Sequence, residues 1–211
     1  VAGIDPSPEM LKRASVNGDV RLGYAEQLPW HDETFDLVIC VNALHHFRSP
    51  REAIAQAHRV LRPGGGFVSI GLDPGAFAGT WYVYEFFPTA LRRDLERFPT
   101  REQRLGWLEE SGFERINVSV AERIRSTATF QSALAQGILA RSFTSQLTHL
   151  TDTEYSEGIA RIRAAAHHDE SFRLVADLEL HSTSAWRPAR APEPCELGRQ
   201  VAAERSGPTG R

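Results

Sequence analysis

The residues best placed for chemistry stand where short apolar stretches end. Asp5 follows the apolar residues 1–4 and precedes a helix signal, Ser7 followed by Pro8. In open α/β sheets, ligands bind outside the carboxyl ends of the strands. A carboxylate at such a point can accept hydrogen bonds from both hydroxyls of a ribose, but it can also simply cap or turn the chain. The pattern alone favours neither role.

Two adjacent histidines, His45 and His46, follow the next long apolar run. An imidazole with an ordinary pKa of about 6.5 can act as a general base on a substrate hydroxyl. The alternative, which we favour for each ring, is that one packs and the other begins the next turn. No cysteine or aspartate at metal-binding spacing accompanies the pair, so we predict no metal site.

Alternating strand and helix signals place these residues in a doubly wound α/β fold. The apolar run 37–41 predicts a parallel strand covered on both faces. Ser49, Pro50 and Glu52 predict the start of the next helix, with Ser49 as its cap. Later signals predict strands at 67–72 and 113–120, helices at 130–142 and 151–167, and a half-covered strand at about 174–186.

The length and composition of the chain limit the classes of function that it can have. The 211 residues, 41% of them hydrophobic and 24% charged, suffice for one folded domain, which we place at residues 1–186. Residues 187–211 lack an apolar period and predict a disordered tail.

A net charge of −3 argues against nucleic acid as a partner. No apolar stretch approaches the roughly 20 residues of a membrane span. The two cysteines, Cys40 and Cys195, are too few for a disulfide framework, so we expect a cytoplasmic protein.

Four motifs, in order and over about residues 1–120, resemble those of class I S-adenosylmethionine-dependent methyltransferases. Within that class they resemble the ubiquinone/menaquinone-biosynthesis-like group, methyltransferase type 11. The motifs are VAGIDPSPEML at 1–11, YAEQLPW at 24–30, FDLV at 35–38 with its exit ALHHF at 43–47, and RVLRPGG at 59–65. The resemblance implies a Rossmann-like sheet whose last strand, near residues 172–186, runs antiparallel.

The resemblance also implies S-adenosylmethionine as the cofactor and suggests its contacts. Asp5 would hold the ribose, and Pro6 would lie against the adenine. The Ala25 backbone N–H would meet an adenine ring nitrogen, with Glu26 beside it. Asn42, at the end of the family's fourth strand, would sit near the methionine part of the cofactor.

Two departures from the family pattern bear on this expectation. Tyr24 stands where the family often has an aspartate that accepts from the adenine amino group, so adenine recognition at this point is open. The family's first strand and its Gly-x-Gly-x-Gly loop normally lie directly before Val1, and the glycines at 64–66 follow a helix and do not replace them. With Met10 as its single methionine, we expect the chain to be an N-terminally truncated fragment that binds the cofactor weakly or not at all.

An aromatic segment and a run of arginines follow the last of these motifs. The aromatic side chains indicate either ordinary lid packing, which we favour, or a wall against a planar acceptor. The arginines are interleaved with acidic residues and predict a solvated helix face. The two sets are Phe77, Trp81, Tyr82, Tyr84, Phe86 and Phe87, and Arg92, Arg93, Arg97, Arg101 and Arg104.

We therefore expect S-adenosylmethionine-dependent methyl transfer to a small apolar or aromatic molecule, impaired in this chain by the missing glycine-rich loop. Transfer from a sulfonium needs alignment and exclusion of water more than a nucleophile of the protein. The alternatives are a non-catalytic remnant or interaction module and, less favoured, an NAD-type oxidoreductase, in which an acid after the second strand would also hold ribose. We predict a small-molecule methyl acceptor as partner and make no prediction of oligomeric state.

Overall fold

The computed structural model describes residues 1–14 and 18–190. Most of the predicted tail, residues 191–211, lies outside the described residues, and Cys195 lies there with it. Arg187 is still bound to the domain, because its backbone N–H donates to Gly65 at 2.9 Å and its carbonyl accepts from Gly64 at 3.0 Å. Ordered contacts therefore continue through Arg187.

The strands form two sheets. The first pairs β1 (Ala2–Asp5) with β2 (Asp19–Leu22) in parallel. In the second, β3 (Phe35–Val41) runs parallel to β4 (Leu61–Leu72). The long last strand β7 (Leu174–Trp186) pairs antiparallel with β4, with the short β5 (Thr80–Trp81) and with β6 (Glu114–Ala128). The predicted α/β class and the antiparallel last strand are confirmed.

Local capping explains where the main helices begin. The Ser49 hydroxyl accepts from the Glu52 N–H at the start of α2, as predicted, and Thr151 forms a full capping box with Glu154 at the start of α8. The helices are α1 (Pro8–Arg13), α2 (Pro50–Val60), α3 (Tyr82–Phe86), α4 (Pro88–Arg97), α5 (Arg101–Glu110), α6 (Phe130–Ala135), α7 (Ser145–Thr148) and α8 (Asp152–His168).

One predicted helix is wrong in length. A single helix was expected over 130–142, but α6 ends at Ala135. Gly137 follows with φ of 71°, a left-handed conformation that ends helices and that glycine adopts without strain. The chain then continues through a one-turn 3₁₀ helix at Arg141–Phe143. None of the described helices is both long and apolar enough to cross a membrane.

Two apolar cores hold the described residues together. The sheet core lies where α2 and α5 pack on β4 and β7, and it includes Ile54, Leu61 and Leu108. The helical cap, which we define as residues 81–98 and 130–168, packs on the other half of β7 around Phe87 and Ile162. Because β6 and β7 are long, they extend through both cores and join them.

The prediction that β3 is covered on both faces is wrong. Leu37, Ile39 and Val41 are 50%, 59% and 53% exposed, whereas Val38 and Cys40 pack on the sheet core. Within the described residues, β3 pairs only with β4 and β1 pairs only with β2. The face of β3 that carries Leu37, Ile39 and Val41 therefore borders a cavity instead of a packed element.

Candidate functional site

A cavity of about 570 Å³ lies between β1, the segment 23–30, β3 and the start of α2, and we call it the main cavity. It runs along β1 and β3 and includes residues at their carboxyl ends, the edge at which open α/β sheets bind ligands. Its volume is within the usual range for small-molecule sites. Five of the seven residues proposed from the sequence line it together, namely Asp5, Pro6, Ala25, Glu26 and His46.

Asp5 closes β1 and turns the chain into α1. Its Oδ1 accepts from the Ser7 backbone N–H at 2.8 Å, and the Ser7 hydroxyl in turn accepts from the Met10 N–H at the start of α1. The turning role is therefore shown. This role uses one oxygen of the Asp5 carboxylate, and Asp5 lies half-buried in the wall of the main cavity. Contact of Asp5 with a ribose stays a prediction.

Tyr24, Ala25 and Glu26 line the main cavity beyond Gly23, whose backbone N–H donates to the Asp5 carbonyl at 3.2 Å. The Arg48 guanidinium lies over the Tyr24 ring at 4.3 Å from its centroid, and Arg48 Nη2 donates to the Tyr24 hydroxyl at 3.2 Å. Glu26 Oε1 accepts from the Ser49 backbone N–H at 3.1 Å, so this carboxylate holds the segment to the start of α2. At the position where the family pattern that the motifs resemble often has an aspartate, this chain presents a phenol with a guanidinium on its face.

Asn42 does not line the main cavity. It follows β3 in a left-handed conformation with φ of 48°, which asparagine tolerates better than most residues. Its backbone N–H donates to Ile70 at 2.8 Å. It lines a separate small cavity of about 30 Å³, which His45 and Arg104 also border. Nothing in this placement tests a contact of Asn42 with the methionine part of a cofactor.

The two histidines of the 3₁₀ turn Leu44–His46 have different surroundings. The His45 ring stacks on Phe98 with centroids 3.9 Å apart and planes 12° from parallel. Burial, followed by the positive charges of nearby side chains, lowers the pKa of His45 to about 3. The exposed His46 reaches the main cavity, and its pKa is also lowered, first by partial burial and then by Arg97 and His149. Both rings are neutral at pH 7, and His46 is the one beside the main cavity.

The prediction that the arginine series forms a solvated face is wrong for several members. Arg104 is buried and pairs with the buried Asp73 at 2.6 Å. The Arg97 side chain is 21% exposed and pairs with Asp94 at 2.8 Å, and Arg93 bridges to Glu154 at 3.0 Å. Asp73 and Glu154 come from other elements, so spacing along the helix does not reveal them; Asp94 is three residues from Arg97 on α4, and the spacing does not reveal that it is buried.

The aromatic segment packs inside the helical cap. Trp81, Tyr82, Tyr84 and Phe87 are all buried there. The Tyr82 hydroxyl donates to the Ile138 carbonyl at 2.8 Å, which satisfies its polar end. The packing role that we favoured is therefore the one observed for these four rings.

Neither metal nor thiol chemistry is indicated by the part of the chain that is described. No group of three histidine, cysteine or acidic side chains there is arranged to hold a metal ion. Burial raises the pKa of the Cys40 thiol to about 11, which keeps it protonated and unreactive at neutral pH.

The sheet order and a cavity that includes the carboxyl ends of its strands are those of a Rossmann-like α/β protein. A solved structure from Anabaena variabilis, described as a methyltransferase of an antibiotic biosynthesis pathway, superposes with a TM-score of 0.69. It is 20% identical in sequence, and the match covers 88% of this chain and 81% of that one. At this identity the likeness establishes the fold.

A family model and sequence relatives both indicate a methyltransferase. Residues 1–69 match the family described as Methyltransferase domain. The mitochondrial 2-methoxy-6-polyprenyl-1,4-benzoquinol methylase of Mus musculus is 28% identical over 117 residues, which cover 45% of this chain and 35% of the relative. The demethylmenaquinone methyltransferase of Chlorobaculum parvum is 26% identical over 140 residues, 54% of this chain and 56% of the relative.

The family model matched by residues 1–69, the sequence relatives and the fold support the class I S-adenosylmethionine-dependent methyltransferase family that the four motifs predicted. The matches span 35% of the length of the mouse relative and 56% of the length of the bacterial one.

Proposed function

We propose that this chain carries the adenosyl side of an S-adenosylmethionine site and supports methyl transfer to a small apolar or aromatic acceptor. One observation carries the proposal: one cavity along β1 and β3 is lined by Asp5, Ala25, Glu26 and His46. These residues belong to separate sequence motifs, and the fold brings them to one cavity. Their convergence is what a cofactor site requires.

The residues present fit the adenosyl part of this cofactor. A carboxylate at the end of β1 suits the two ribose hydroxyls, because charge-assisted hydrogen bonds are about twice as strong as neutral ones. Leu37, Ile39 and Val41 give the cavity an apolar wall. When bound, S-adenosylmethionine supplies an electrophilic methyl group on a sulfonium. The protein then has to align the acceptor and keep competing water away.

His46 is the proposed general base for an acceptor that carries a hydroxyl. Its ring is neutral at pH 7 and reaches the main cavity. A neutral imidazole can take the proton that an attacking hydroxyl gives up. His45 is less suited to this, because its stacked ring sits against Phe98 and has a pKa of about 3.

The class of acceptor is also a proposal. The relatives named above are methyltransferases of a benzoquinol and a demethylmenaquinone. A hydroxylated aromatic ring would suit the apolar wall of the main cavity and would need the base that His46 provides. The acceptor we favour is therefore a small hydroxylated aromatic molecule.

We further propose that a polypeptide of these 211 residues binds S-adenosylmethionine weakly and turns over slowly. The described residues contain no Gly-x-Gly-x-Gly loop between a strand and a helix, and such glycines let the backbone approach the cofactor closely. The main cavity is correspondingly open between β1 and β3. This proposal concerns the affinity of the chain and not its family.

Isothermal titration calorimetry with S-adenosylmethionine tests the affinity. We expect dissociation constants above the micromolar range, and micromolar binding would overturn the expectation of weak binding. Tritium-labelled methyl transfer to a panel of hydroxylated aromatic acceptors tests the activity, with a parallel hydride-transfer assay for the NAD-type alternative. Label in the acceptor supports the methyltransferase, and hydride transfer without label would contradict it.

The unpaired edges of β1 and β3 favour a second candidate, a non-catalytic interaction module. Open parallel edges with exposed apolar side chains such as Ile39 recruit further strands. Sedimentation and thermal melting of the 211-residue chain discriminate between the methyltransferase and the interaction module. A monomer with a sharp melting transition counts against this candidate.

A further inference from the structure

Each residue of the 3₁₀ turn Leu44–His46 faces a different neighbour. Leu44 is buried in the sheet core, and His46 lines the main cavity. Between them, the His45 ring stacks on Phe98, the residue that follows α4. The place of the His46 ring therefore depends on how firmly Leu44 and His45 are held by the elements on either side.

Four side chains form a continuous series of contacts from the helical cap to the main cavity. The Arg97 guanidinium lies over the Phe98 ring, 5.2 Å from its centroid. Phe98 and His45 stack with centroids 3.9 Å apart, and the centroids of the His45 and His46 rings are 4.0 Å apart. We call Arg97, Phe98, His45 and His46 the ring column. It connects the end of α4 with the wall of the main cavity.

Two ion pairs with buried carboxylates fix the backbone on both sides of Phe98. The Phe98 N–H donates to the Asp94 carbonyl at 2.8 Å, and the Asp94 carboxylate binds Arg97 at 2.8 Å. The carbonyl of the next residue, Pro99, accepts from Arg104 at 3.0 Å, and Arg104 forms the second pair with a buried aspartate. Phe98 itself is buried. A ring held in this way offers His45 a fixed surface.

The Asp94 carboxylate is also bound from two other parts of the helical cap. Its Oδ2 accepts from the Tyr84 hydroxyl at 2.7 Å and from Gln146 Nε2 at 2.8 Å. Burial, together with the charge of Asp94, raises the pKa of Tyr84, so the phenol stays a donor. The support behind Phe98 therefore includes α3 and α7 as well as α4.

The charges near His46 favour a neutral ring. Partial burial lowers the pKa of His46, and Arg97 and His149 lower it further. Asp94 acts in the opposite direction but is itself paired with Arg97. On the other side, the charged side chains of the main-cavity wall are those of Asp5, Glu26 and Arg48. A neutral imidazole is the form that can accept a proton.

We propose that Phe98 and Arg97 are positioning residues for His46. Phe98 holds His45, and with it the turn, so that the His46 imidazole stays at the main cavity, within reach of the proton that it would take. Arg97, at the other end of the ring column, keeps positive charge near that imidazole. This inference rests on the proposed function for the role of His46 as a base. The link from the helical cap to the turn depends only on the contacts of the ring column.

Histidine side-chain NMR as a function of pH tests the link in the full chain without S-adenosylmethionine. Phe98→Leu keeps an apolar residue but removes the stacking surface, and His45→Leu removes the other half of the stack. In both variants we expect the pKa of His46 to rise towards the ordinary value of about 6.5, because a freed turn exposes the ring to water. His45→Phe keeps a ring in the stack and should leave the pKa of His46 lowered. An unchanged pKa of His46 in Phe98→Leu would overturn the proposal.

The matched control is Phe113→Leu. Phe113 packs edge-to-face against His58 with centroids 4.9 Å apart, so this variant also removes a buried ring beside a histidine, but in the sheet core. It should leave the pKa of His46 unchanged. If Phe113→Leu raises this pKa as much as Phe98→Leu does, the effect is a general loosening of the fold and the proposal is wrong.

Variants of Arg97 test the electrostatic part. Arg97→Gln should raise the pKa of His46, because it removes a positive charge and leaves the charge of Asp94 unbalanced. Arg97→Lys keeps the charge and should keep that pKa lowered. Arg92→Gln makes the same charge change at an exposed position of α4 and should have no effect. Equal shifts in Arg92→Gln and Arg97→Gln would contradict a specific role of Arg97.

Methyl-transfer kinetics connect the ring column to the proposed function. For Phe98→Leu we expect kcat to fall by about 10²-fold, the contribution of a general base, with little change in KM for S-adenosylmethionine. An active wild type with an unchanged kcat in Phe98→Leu would contradict the positioning role. If the wild type transfers no methyl group, the proposed function fails, and with it the role of His46 as a base. The NMR result then still decides whether the ring column holds His46.

Discussion

Arg104 and Asp73 form a buried ion pair in which Nη2 of Arg104 and Oδ2 of Asp73 are 2.6 Å apart. Arg104 also donates through Nη1 to the Pro99 carbonyl at 3.0 Å, and the other carboxylate oxygen of Asp73 accepts from the Ala76 N–H at 3.3 Å. The pair joins α5 to the turn that follows β4. It holds together two elements whose residues are 31 positions apart in the chain.

Breaking this ion pair should destabilise the protein strongly. Arg104→Met leaves Asp73 buried without its partner, and such a loss costs about 3–5 kcal/mol of the free energy of unfolding. The control is Arg62→Met, because Arg62 pairs with Asp36 on the surface and exposed pairs contribute about 0–1 kcal/mol. Urea unfolding measures both. Equal effects of the two variants would contradict the assignment.

Two helical glycines should respond to alanine in opposite directions. A Cβ at Gly158 in α8 would stand 2.1 Å from Cε1 of the buried Phe87, so Gly158→Ala should overpack the helical cap and cost about 1–3 kcal/mol. A Cβ at Gly106 in α5 meets nothing within 4 Å, so Gly106→Ala should stabilise the protein by about 0.5–1 kcal/mol. Thermal unfolding of both variants checks the sign. A stabilised Gly158→Ala variant would show that α8 does not pack on Phe87 as described.

Features set by neighbouring residues were predictable from the sequence. Ser49 caps α2 as its spacing to Glu52 indicates, and Thr151 caps α8 through Glu154 in the same way. Asp5 also lies at the end of β1 as predicted. In each case a strand end or a helix start depends on residues only a few positions away.

Features that depend on distant partners were not predictable. Arg104 belongs to a series that is typical of a solvated face, because charge spacing says nothing about a buried acid such as Asp73. Leu37 and Ile39 belong to a run typical of a covered strand, but coverage depends on which elements pack there. Local patterns indicate which roles a residue can have, and the residues that pack against it determine which role it has.

The stability of the folded state should fall on acidification because of His45. Its pKa in the folded state is about 3, whereas an unfolded histidine has a pKa of about 6.5. Between those values the unfolded chain binds a proton that the folded chain does not, so stability is lost as the pH falls from about 6.5 towards 3. His45→Phe should keep the stack on Phe98 and remove this contribution.

Calorimetric melting at pH 7 and at a mildly acidic pH measures the effect. We expect His45→Phe to lose less melting temperature on acidification than the wild type does. The control is His31→Gln at an exposed position, which should keep the acid sensitivity of the wild type. An unchanged acid sensitivity in His45→Phe would show that His45 titrates normally in the folded protein.

Asp5→Asn should weaken binding of the cofactor product S-adenosylhomocysteine without disturbing the fold. The amide keeps an oxygen that can accept from the Ser7 N–H, so the turn into α1 is retained. It removes the charge that would strengthen hydrogen bonds from ribose hydroxyls, and loss of about 1.4 kcal/mol corresponds to about ten-fold weaker binding. Glu9→Gln makes the same charge change on the exposed side of α1 and should leave binding unchanged. NMR titration that follows the Ala25 amide suits the low affinity expected of this chain. If Asp5→Asn and the wild type show the same titration, Asp5 serves only to turn the chain, and its proposed contact with ribose is wrong.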